Sequence, residues 1–174
     1  MTNANNPSEL PADPWRQPAI REHTQLLLNS FQRWLGRDLV KRAQSTETQA
    51  EMLFTAPCVV VSHGVQEDPI LNYGNQAALQ LWEMDFDTLT SIPSRLTAEP
   101  MHRDERAQLL ARTTANGFVD DYSGIRISRT GKRFLIRQAI VWNLLSEADE
   151  YVGQAAMFSD WEWLPVAAAG DERG

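Results

Sequence analysis

The chain has 174 residues, of which 43% are hydrophobic and 22% are charged, a composition that is typical of one globular domain and excludes a fibre or a fully disordered chain. Its net charge of −7 argues against a protein that binds nucleic acid through the phosphates. Its single cysteine, Cys58, excludes an internal disulfide. No apolar run approaches the roughly 18 residues of a membrane span, so we expect neither membrane nor nucleic-acid partners. The single cysteine favours a reducing cytoplasm as the location.

The chain is predicted to contain four segments. Residues 1–18, with four prolines and many small polar residues, are predicted to form a disordered arm. Residues 19–56 are predicted to form a helical extension and residues 57–164 the core of the fold. Residues 165–174, which include an alanine run and several charged groups, are predicted to form a flexible tail.

The extension is predicted to contain two helices. In the first, apolar residues recur at helical spacing up to Gly36, a residue that is typical of a C-terminal helix cap. These apolar residues are Ile20, Leu27, Phe31 and Trp34. The second helix is predicted from about Leu39 to Leu53, where the apolar pattern is weaker.

The first half of the core is predicted to contain two short strands and a helix. Residues 58–63 are rich in β-branched side chains and end before Gly64, and residues 70–73 form the second strand. Asn75 precedes a run of helix formers that ends at Trp82, so the Asn75 side chain is predicted to cap that helix.

A longer helix is predicted from Asp104 to Ala115, and Gly117 follows its end. Its apolar side is predicted to carry Ala107, Leu110 and Ala111. The charged run Arg103–Arg106 is interpreted as a solvated helix end, because it is too short to form a basic binding patch.

The last third of the chain is predicted to be an antiparallel meander of three strands, at residues 118–128, 132–145 and 151–161. The apolar alternation of the middle strand slips by one residue at Gln138, which indicates either a β-bulge or a strand that is buried on both faces. One face is expected to meet the helices of the core. The other face is expected to be covered by the apolar stripe of the first helix or by a second copy of the chain.

This order of elements resembles a PAS domain. The resemblance implies an α+β fold, with a five-stranded antiparallel sheet, small helices on one face and, in this chain, an N-terminal helical extension. The landmarks that match are Asn75 at the first small helix, Arg103–Arg106 at the longer helix, the hairpin Arg129–Lys132, and the last strand with its exit, Tyr151–Gly153 and Asp160.

Several longer strings are similar to the MEKHLA domain, a PAS-related module. They are Val59–Gly64, Tyr73–Asn75, Leu81–Met84, Pro93–Pro100, Asp120–Arg126, Val141–Asn143 and Gly153–Ala156. The resemblance covers about residues 20–164. This domain occurs in bacteria as a small free-standing protein, the form that this chain resembles, and in plants at the C-terminus of homeodomain–leucine-zipper transcription factors. The sequence contains no homeodomain, zipper or START segment, so the resemblance implies a sensory or regulatory module without a DNA-linked role.

Six residues are candidates for ligand binding, and each also has a purely structural explanation: His63, Asn75, Trp82, Met84, Tyr122 and Arg126. Asn75 is explained structurally as a helix cap. His63 is explained as a loop histidine, because the sequence has no HxH or HxxxH spacing to complete a metal site. Trp82 and Met84 stand where the helices of a PAS domain close over its cavity, and Trp82 is assigned either to that cavity or to the core.

Tyr122 and Arg126 are predicted to share one face of a strand with Asp120, because the three residues lie two and four positions apart. They are expected either to orient a ligand or to form a structural ion pair.

Cys58 is interpreted as a buried hydrophobe, since the Asn-Cys-Arg-Phe type of string found in flavin-binding photoreceptor domains does not occur.

The sequence lacks the common motifs of hydrolases, nucleotide-binding enzymes and metalloproteases. Ser62 and His63 are neighbours on a strand, so their side chains are expected to diverge rather than to form a catalytic pair. We therefore expect no enzyme but a sensory or regulatory module that binds a small ligand or a protein partner, with its cofactor unknown. A homodimer is expected to form through the first helix or the sheet. The alternatives are a small enzyme that uses the same cavity and a structural dimerisation protein.

Overall fold

The computed structural model describes residues 13–99 and 102–166, so residues 1–12 of the predicted arm and residues 167–174 of the predicted tail lie outside the described residues. The helices are α1 (Pro18–Leu35), α2 (Thr46–Phe54), α3 (Gln76–Trp82), α4 (Phe86–Leu89) and α5 (Arg103–Asn116). The strands are β1 (Val59–His63), β2 (Leu71–Gly74), β3 (Phe118–Ile127), β4 (Arg133–Leu145), β5 (Tyr151–Phe158) and β6 (Asp160–Trp163). Two turns of 3-10 helix lie at Pro14–Arg16 and Ser94–Thr97.

The strands form one antiparallel sheet in the order β2-β1-β5-β4-β3, and β6 pairs with the first part of β4. This is the predicted α+β arrangement, with one difference in the strand count. The last predicted strand is broken at Ser159, so the expected five strands become six. β5 pairs with β4 from Ile140 onward, and β6 pairs with β4 from Phe134 to Arg137.

The slip that the sequence shows at Gln138 is a backbone irregularity in β4. Gln138 has a φ of +49°, a value that is uncommon for a residue with a side chain. The side chains of Ala139 and Val141 join the core on the α5 side of the sheet, whereas Ile140 and Trp142 join the core on the α1 side. Both expectations for this strand are therefore confirmed, because it is irregular at Gln138 and buried on both faces.

The first helix covers the second face of the sheet, as the apolar stripe predicts. α1 begins with Pro18 in its first turn and ends at Leu35, and it is capped by Gly36, which has a left-handed φ of +69°. The ring of Phe31 meets the ring of Trp142 edge to face at 5.0 Å. The indole of Trp34 donates to the Asn143 carbonyl oxygen at 3.0 Å. The chain thus covers this face itself, and the alternative cover by a second copy is not needed.

The second helix is shorter than predicted. α2 begins at Thr46 and not at Leu39, because the Ser45 hydroxyl accepts from the Thr48 amide at 3.0 Å and caps the helix there. The buried Gln49 side chain then binds the preceding loop, donating to the Lys41 carbonyl oxygen at 3.0 Å. These polar bonds replace the helical bonds that the weak apolar pattern suggested.

The structured part of the chain begins before the predicted boundary at residue 19. Within the last part of the predicted arm, Pro14–Arg16 form a turn of 3-10 helix and Trp15 is 6% exposed. Trp15 packs with Ala50 and Phe54 of α2. A single aromatic side chain therefore attaches this segment, although its composition is that of a loose arm.

The buried side of α5 also differs from the prediction. Ala107 and Ala111 are exposed, whereas Arg106, Leu109 and Thr113 are buried. Ordinary apolar periodicity misses this side, because an arginine and a threonine occupy two of its three positions. Arg106 is therefore not the solvated helix end that the sequence suggested.

Among the described residues, none of the helices combines the length and the apolar character that crossing a bilayer requires.

Candidate functional site

A small cavity lies between the sheet and the helices of the core. Its volume is about 70 Å³, and its lining includes apolar side chains from α5, β4 and β5, such as Leu109, Ile136 and Phe158. A space of this size accommodates about five water-sized groups. It is much smaller than the pockets of drug-sized ligands, which usually start at about 300 Å³.

Two arginines contribute to the lining of this cavity. Arg106 is 9% exposed and Arg126 is 8% exposed. The Nη2 group of Arg106 donates to the Ser94 hydroxyl, and Nη1 of Arg126 donates to the Ile125 carbonyl oxygen at 2.9 Å. The Arg126 guanidinium also lies over the Tyr122 ring, 5.4 Å from its centroid. The cavity thus contains two buried guanidinium groups.

Neither guanidinium has an acidic partner in the described part of the chain. Within residues 13–99 and 102–166, the ion pairs involve other side chains and not Arg106 or Arg126. Burial lowers the pKa of Arg106 to about 10, and the charge of Arg126 lowers it as well, while Tyr122 and Asp68 oppose the shift. Asp68 is itself paired with Arg95 at 3.1 Å. Arg106 is therefore still charged at neutral pH, beside a second cation.

His63 also lines the cavity, at the end of β1. Its Nδ1 lies 2.9 Å from the Gly64 carbonyl oxygen. Because a carbonyl oxygen can only accept, we assign the hydrogen to Nδ1, which leaves Nε2 as an acceptor. Nε2 is buried and has no partner among the described residues. Burial lowers the pKa of His63, the bond to Gly64 opposes this, and the charge of Arg106 lowers it further, so His63 is neutral at pH 7.

Two aromatic residues of the lining carry polar atoms without partners. In the described part of the chain, Trp82 Nε1 and Tyr122 Oη are both buried and make no hydrogen bond. The Trp82 ring packs edge to face against Phe134 at 5.3 Å between centroids. Gly124 leaves room for the Tyr122 hydroxyl, since a Cβ at this glycine would lie 2.2 Å from Tyr122 Oη. Buried polar atoms usually have partners, so these atoms mark a place where the protein alone is incomplete.

Asn75 and Met84 lie outside the lining of this cavity. Asn75 caps α3 by accepting from the Ala78 amide at 3.2 Å, and it also accepts from the Val60 amide at 3.0 Å. Its Nδ2 donates to the carbonyl oxygens of Cys58, at 2.8 Å, and Leu53. The cap that the sequence predicts is confirmed, and the Asn75 side chain is occupied by bonds within the protein. Met84 is partly buried against the core.

The predicted shared face of Asp120, Tyr122 and Arg126 is only partly correct. Tyr122 and Arg126 both line the cavity, but Asp120 is exposed. The pairing of β3 with β4 shifts between Val119 and Tyr122, because a bulge adds one residue there. Asp120 and Asp121 consequently both point to solvent, and no ion pair between Asp120 and Arg126 exists.

Sequence reasoning missed Arg106 as a residue of the site. The signal was available, because Arg106 precedes Leu109 by three residues and Thr113 by seven, which places the three on one face of α5. Gln154 on β5 holds this helix against the sheet. Its Nε2 donates to the Leu110 carbonyl oxygen and to the Thr114 hydroxyl, both at 3.0 Å. Arg106 therefore sits on a helix that is fixed by polar bonds next to the cavity.

A contact between a serine and a histidine on the opposite face was also missed. His23 Nε2 of α1 lies 2.8 Å from Ser62 Oγ, and the Ser62 hydroxyl donates to Asn72 Oδ1 at 2.5 Å. The Ser62 proton is thus directed away from His23, and His23 acts as a donor. Burial lowers the pKa of His23 to about 4. This arrangement ties α1 to the sheet, and Ser62 is 1% exposed.

The cavity as a whole is suited to binding an electron-rich group. Its lining residues include two arginines, a histidine, a tryptophan and a tyrosine, while most of its accessible surface is apolar. Among the described residues, no group of three His, Cys, Asp or Glu side chains could hold a metal ion. Burial raises the pKa of the Cys58 thiol, which keeps it protonated and unreactive.

Comparison with known proteins gives both the family and the fold. The model of the MEKHLA domain matches residues 21–163. The homeobox-leucine zipper protein HOX32 of Oryza sativa subsp. japonica is 23% identical over 145 residues, which are 78% of this chain and 17% of that protein. The chain thus spans less than a fifth of the length of this curated relative.

Solved structures with similar folds include a PAS domain from Colwellia psychrerythraea, with a TM-score of 0.56 and 12% identity over 68% of this chain and 95% of that chain. The photo-excited blue-light photoreceptor Vivid is similar with a TM-score of 0.53 and 11% identity, covering 77% of this chain and 94% of that chain. At these identities the likeness establishes the fold alone.

Proposed function

Since the chain belongs to the MEKHLA domain family and has the PAS fold, we propose that it is a non-catalytic sensory or regulatory module whose internal cavity binds a small ligand. The observation that carries this proposal is the cavity itself. It lies between the sheet and α5. Its lining includes two buried arginines that have no acidic partner among the described residues, and residues whose buried polar atoms have no partner there either. Buried groups of this kind are compensated when a ligand supplies the missing charge and hydrogen bonds.

A ligand in this cavity acts on two elements of the fold at once. Arg106 on α5 donates to Ser94 in the turn of 3-10 helix, and Arg126 belongs to β3. A ligand that binds both arginines therefore favours one relative position of α5, the turn and the sheet. A ligand shifts such an equilibrium only when it binds one state more tightly than the other. A protein partner that contacts the outer surface of these elements would then bind the two states with different affinities.

A catalytic role has less support. Among the residues that line the cavity, Ser94 accepts from the Arg106 guanidinium, and its hydroxyl donates to no base within the described residues. The Ser62–His23 contact lies on the other face of the sheet and directs the serine proton to Asn72. A general base must reach the proton that it removes, and neither serine offers this geometry. The alternative of a small enzyme would rest on His63 and Tyr122 alone.

A homodimer through α1 also has less support than ligand binding. The apolar stripe of α1 is used against the chain's own sheet, where Leu27 and Phe31 are fully buried. A partner surface would have to be sought elsewhere, for example near Trp163, which is 45% exposed.

We propose a cytoplasmic location for the module, because its one cysteine suits a reducing compartment.

A light-sensing role is not part of the proposal. A cavity of about 70 Å³ is too small for a three-ring chromophore of flavin size. The lining also lacks Cys58, which is the chain's single cysteine.

Native mass spectrometry of the chain purified from cells, together with its absorbance spectrum, tests the proposal. We expect a colourless protein with a small added mass that is lost on denaturation, or a protein that gains such a mass when it is incubated with a pool of small metabolites. A protein that carries no added mass and takes none up would contradict ligand binding. In that case light scattering and partner capture would test the alternatives of a dimer and a docking module.

A further inference from the structure

The chemistry of the cavity indicates which class of ligand it takes. Arg106 and Arg126 each carry five N–H donors, and within the described residues each makes one hydrogen bond to the protein. Both side chains are more than nine-tenths buried. Two like charges in one buried site repel each other, and removal from water adds a further cost. An anion in the cavity would relieve both costs.

The protein does not supply that anion from its described part. Asp68 acts on Arg106 only at a distance and is held by Arg95. Asp120 and Asp121 on β3 point to solvent. The charge of the cavity is therefore opposite in sign to the net charge of −7 that the whole chain carries. A positive, low-dielectric cavity in an acidic protein selects for anions among small molecules.

The size and the remaining lining restrict the anion further. The volume of about 70 Å³ admits a ligand of about five non-hydrogen atoms. Apolar side chains such as Leu109, Ile136 and Val141 line the cavity together with the arginines, so they favour an anion with a short hydrocarbon part over a purely inorganic ion. Guanidinium forks match the planar geometry of a carboxylate.

We propose that the cavity binds a small aliphatic carboxylate, with Arg106 and Arg126 as its binding residues. This inference rests on the proposed function and names the ligand class for the same cavity. The neutral His63 lines the same cavity, and its Nε2, an acceptor without a partner among the described residues, is the group that would receive a hydroxyl of such an acid. A short hydroxy acid, in which a carboxylate and a hydroxyl are carried on two or three carbons, fits all of these groups.

The first experiment compares acids with their neutral amides on the full wild-type chain. Calorimetric titration with acetate, propionate and L-lactate is matched by titration with acetamide, propionamide and L-lactamide. The assigned indole resonance of Trp82, whose Nε1 is a buried group of the lining, locates the binding. We expect at least one acid to bind, and its amide to bind about tenfold more weakly or worse, because the charge-assisted bonds to guanidinium are lost.

The second experiment changes the arginines. Arg106→Gln and Arg126→Gln are each expected to weaken binding of the best acid about tenfold or more. Arg112→Gln is the matched control, because Arg112 lies exposed on the same helix and its replacement changes the net charge by the same amount. The control is expected to change the affinity less than about twofold. A well-dispersed amide spectrum verifies that each variant is folded, and Arg126→Lys, which keeps the charge, is expected to retain more affinity than Arg126→Gln.

The outcomes separate this inference from the proposed function. Equal binding of an acid and its amide, or binding that shifts no Trp82 signal, overturns the carboxylate assignment while ligand binding stands. Inorganic phosphate that binds more tightly than every acid also overturns it. If no small molecule of either charge binds and the purified chain carries none, the proposed function fails together with the inference.

Discussion

The two faces of the sheet are packed differently around β4. On the α1 face, Leu27, Phe31 and Trp142 are fully buried in one apolar cluster. An open groove on this side lies between α1 and the β4–β5 turn, where Leu26, Ser30 and Val152 contribute to its lining. On the α5 face, a cavity of about 70 Å³ lies beside two buried arginines. Tyr73 Oη is a buried polar atom without a partner on the α1 face, whereas the cavity lining of the α5 face contains three such atoms among the described residues.

This difference separates the residues that stabilise the fold from those that are available for function. A well-packed face contributes dispersion and hydrophobic stabilisation in proportion to its contacts. A face with buried charges and a cavity is less stabilised by packing, and such violations of packing rules concentrate at functional sites. The comparison therefore predicts that the same mutation has different costs on the two faces.

The largest predicted effect comes from truncating one leucine on each face. Leu27→Ala on α1 is expected to lower the free energy of unfolding by about 4 kcal/mol, and Leu109→Ala on α5 by about 2 kcal/mol. Both residues are buried leucines within helices, so helix propensity contributes equally. Leu109 already borders a cavity, so truncating its side chain removes fewer packing contacts. Urea denaturation followed by circular dichroism measures both values, and equal costs would remove the distinction between the faces.

The next effect is a loss of stability in acid that involves the α1 face. His23 has a pKa of about 4 in the folded protein because burial disfavours its charged form, whereas in the unfolded chain its pKa is the ordinary 6.5. The unfolded state therefore takes up the proton first. The stabilisation from neutral His23 is complete above pH 6.5 and is lost as the pH falls towards 4, by up to about 3 kcal/mol.

The variant His23→Gln isolates this contribution. Its amide can still donate to Ser62 but cannot titrate. We expect wild type and variant to differ little at pH 7.5, and the wild type to lose stability more steeply between pH 6.5 and 4. Parallel curves of unfolding free energy against pH would show that His23 is not the group responsible. His63, whose pKa is lowered as well, remains in both proteins and does not affect the difference.

A smaller effect is expected at the strand pair that both faces share. A Cβ at Gly153 would lie 2.2 Å from the His63 carbonyl oxygen, so Gly153→Ala forces β1 and β5 apart beside the cavity. We expect a loss of about 2 kcal/mol and a change in the Trp82 indole resonance. Gly131→Ala is the control, since Gly131 also has a positive φ, of +87°, but a Cβ there meets nothing within 4 Å. The control is expected to lose about 1 kcal/mol from backbone strain alone, and a similar loss in both variants would exclude the clash as the cause.

The sequence was informative where the signal is local. The left-handed cap at Gly36, the cap at Asn75 and the slip at Gln138 are properties of a few neighbouring residues, and the structure has all three. The assignment of both faces of β4 to a core follows from its alternation of side chains. These signals predict the elements and the direction in which their side chains point.

The sequence was less informative where the outcome depends on distant partners. Nothing in the spacing of His23 and Ser62, which lie 39 residues apart, indicates that they form a hydrogen bond. In the sequence, the charged run that contains Arg106 resembles a solvated helix end. Only the fold shows that Arg106 lines the same cavity as Arg126 of β3. The extra residue before Tyr122 turns Asp120 to solvent, and a bulge of this kind is decided by pairing with β4 rather than by local preference.

The smallest predicted effect is a gain in stability. It tests whether the buried charge of Arg126 destabilises the α5 face. Arg126→Met replaces a buried charge, which has no acidic partner among the described residues, by an apolar side chain of similar length. Such replacements are often neutral or stabilising, so we expect the ligand-free protein to gain about 1 kcal/mol. The exposed Arg112→Met is expected to change stability by less than about 0.5 kcal/mol. If Arg126→Met instead destabilised the free protein as strongly as Leu109→Ala, Arg126 would be a structural residue of the α5 face, and its unpaired charge would not indicate a site for an anion.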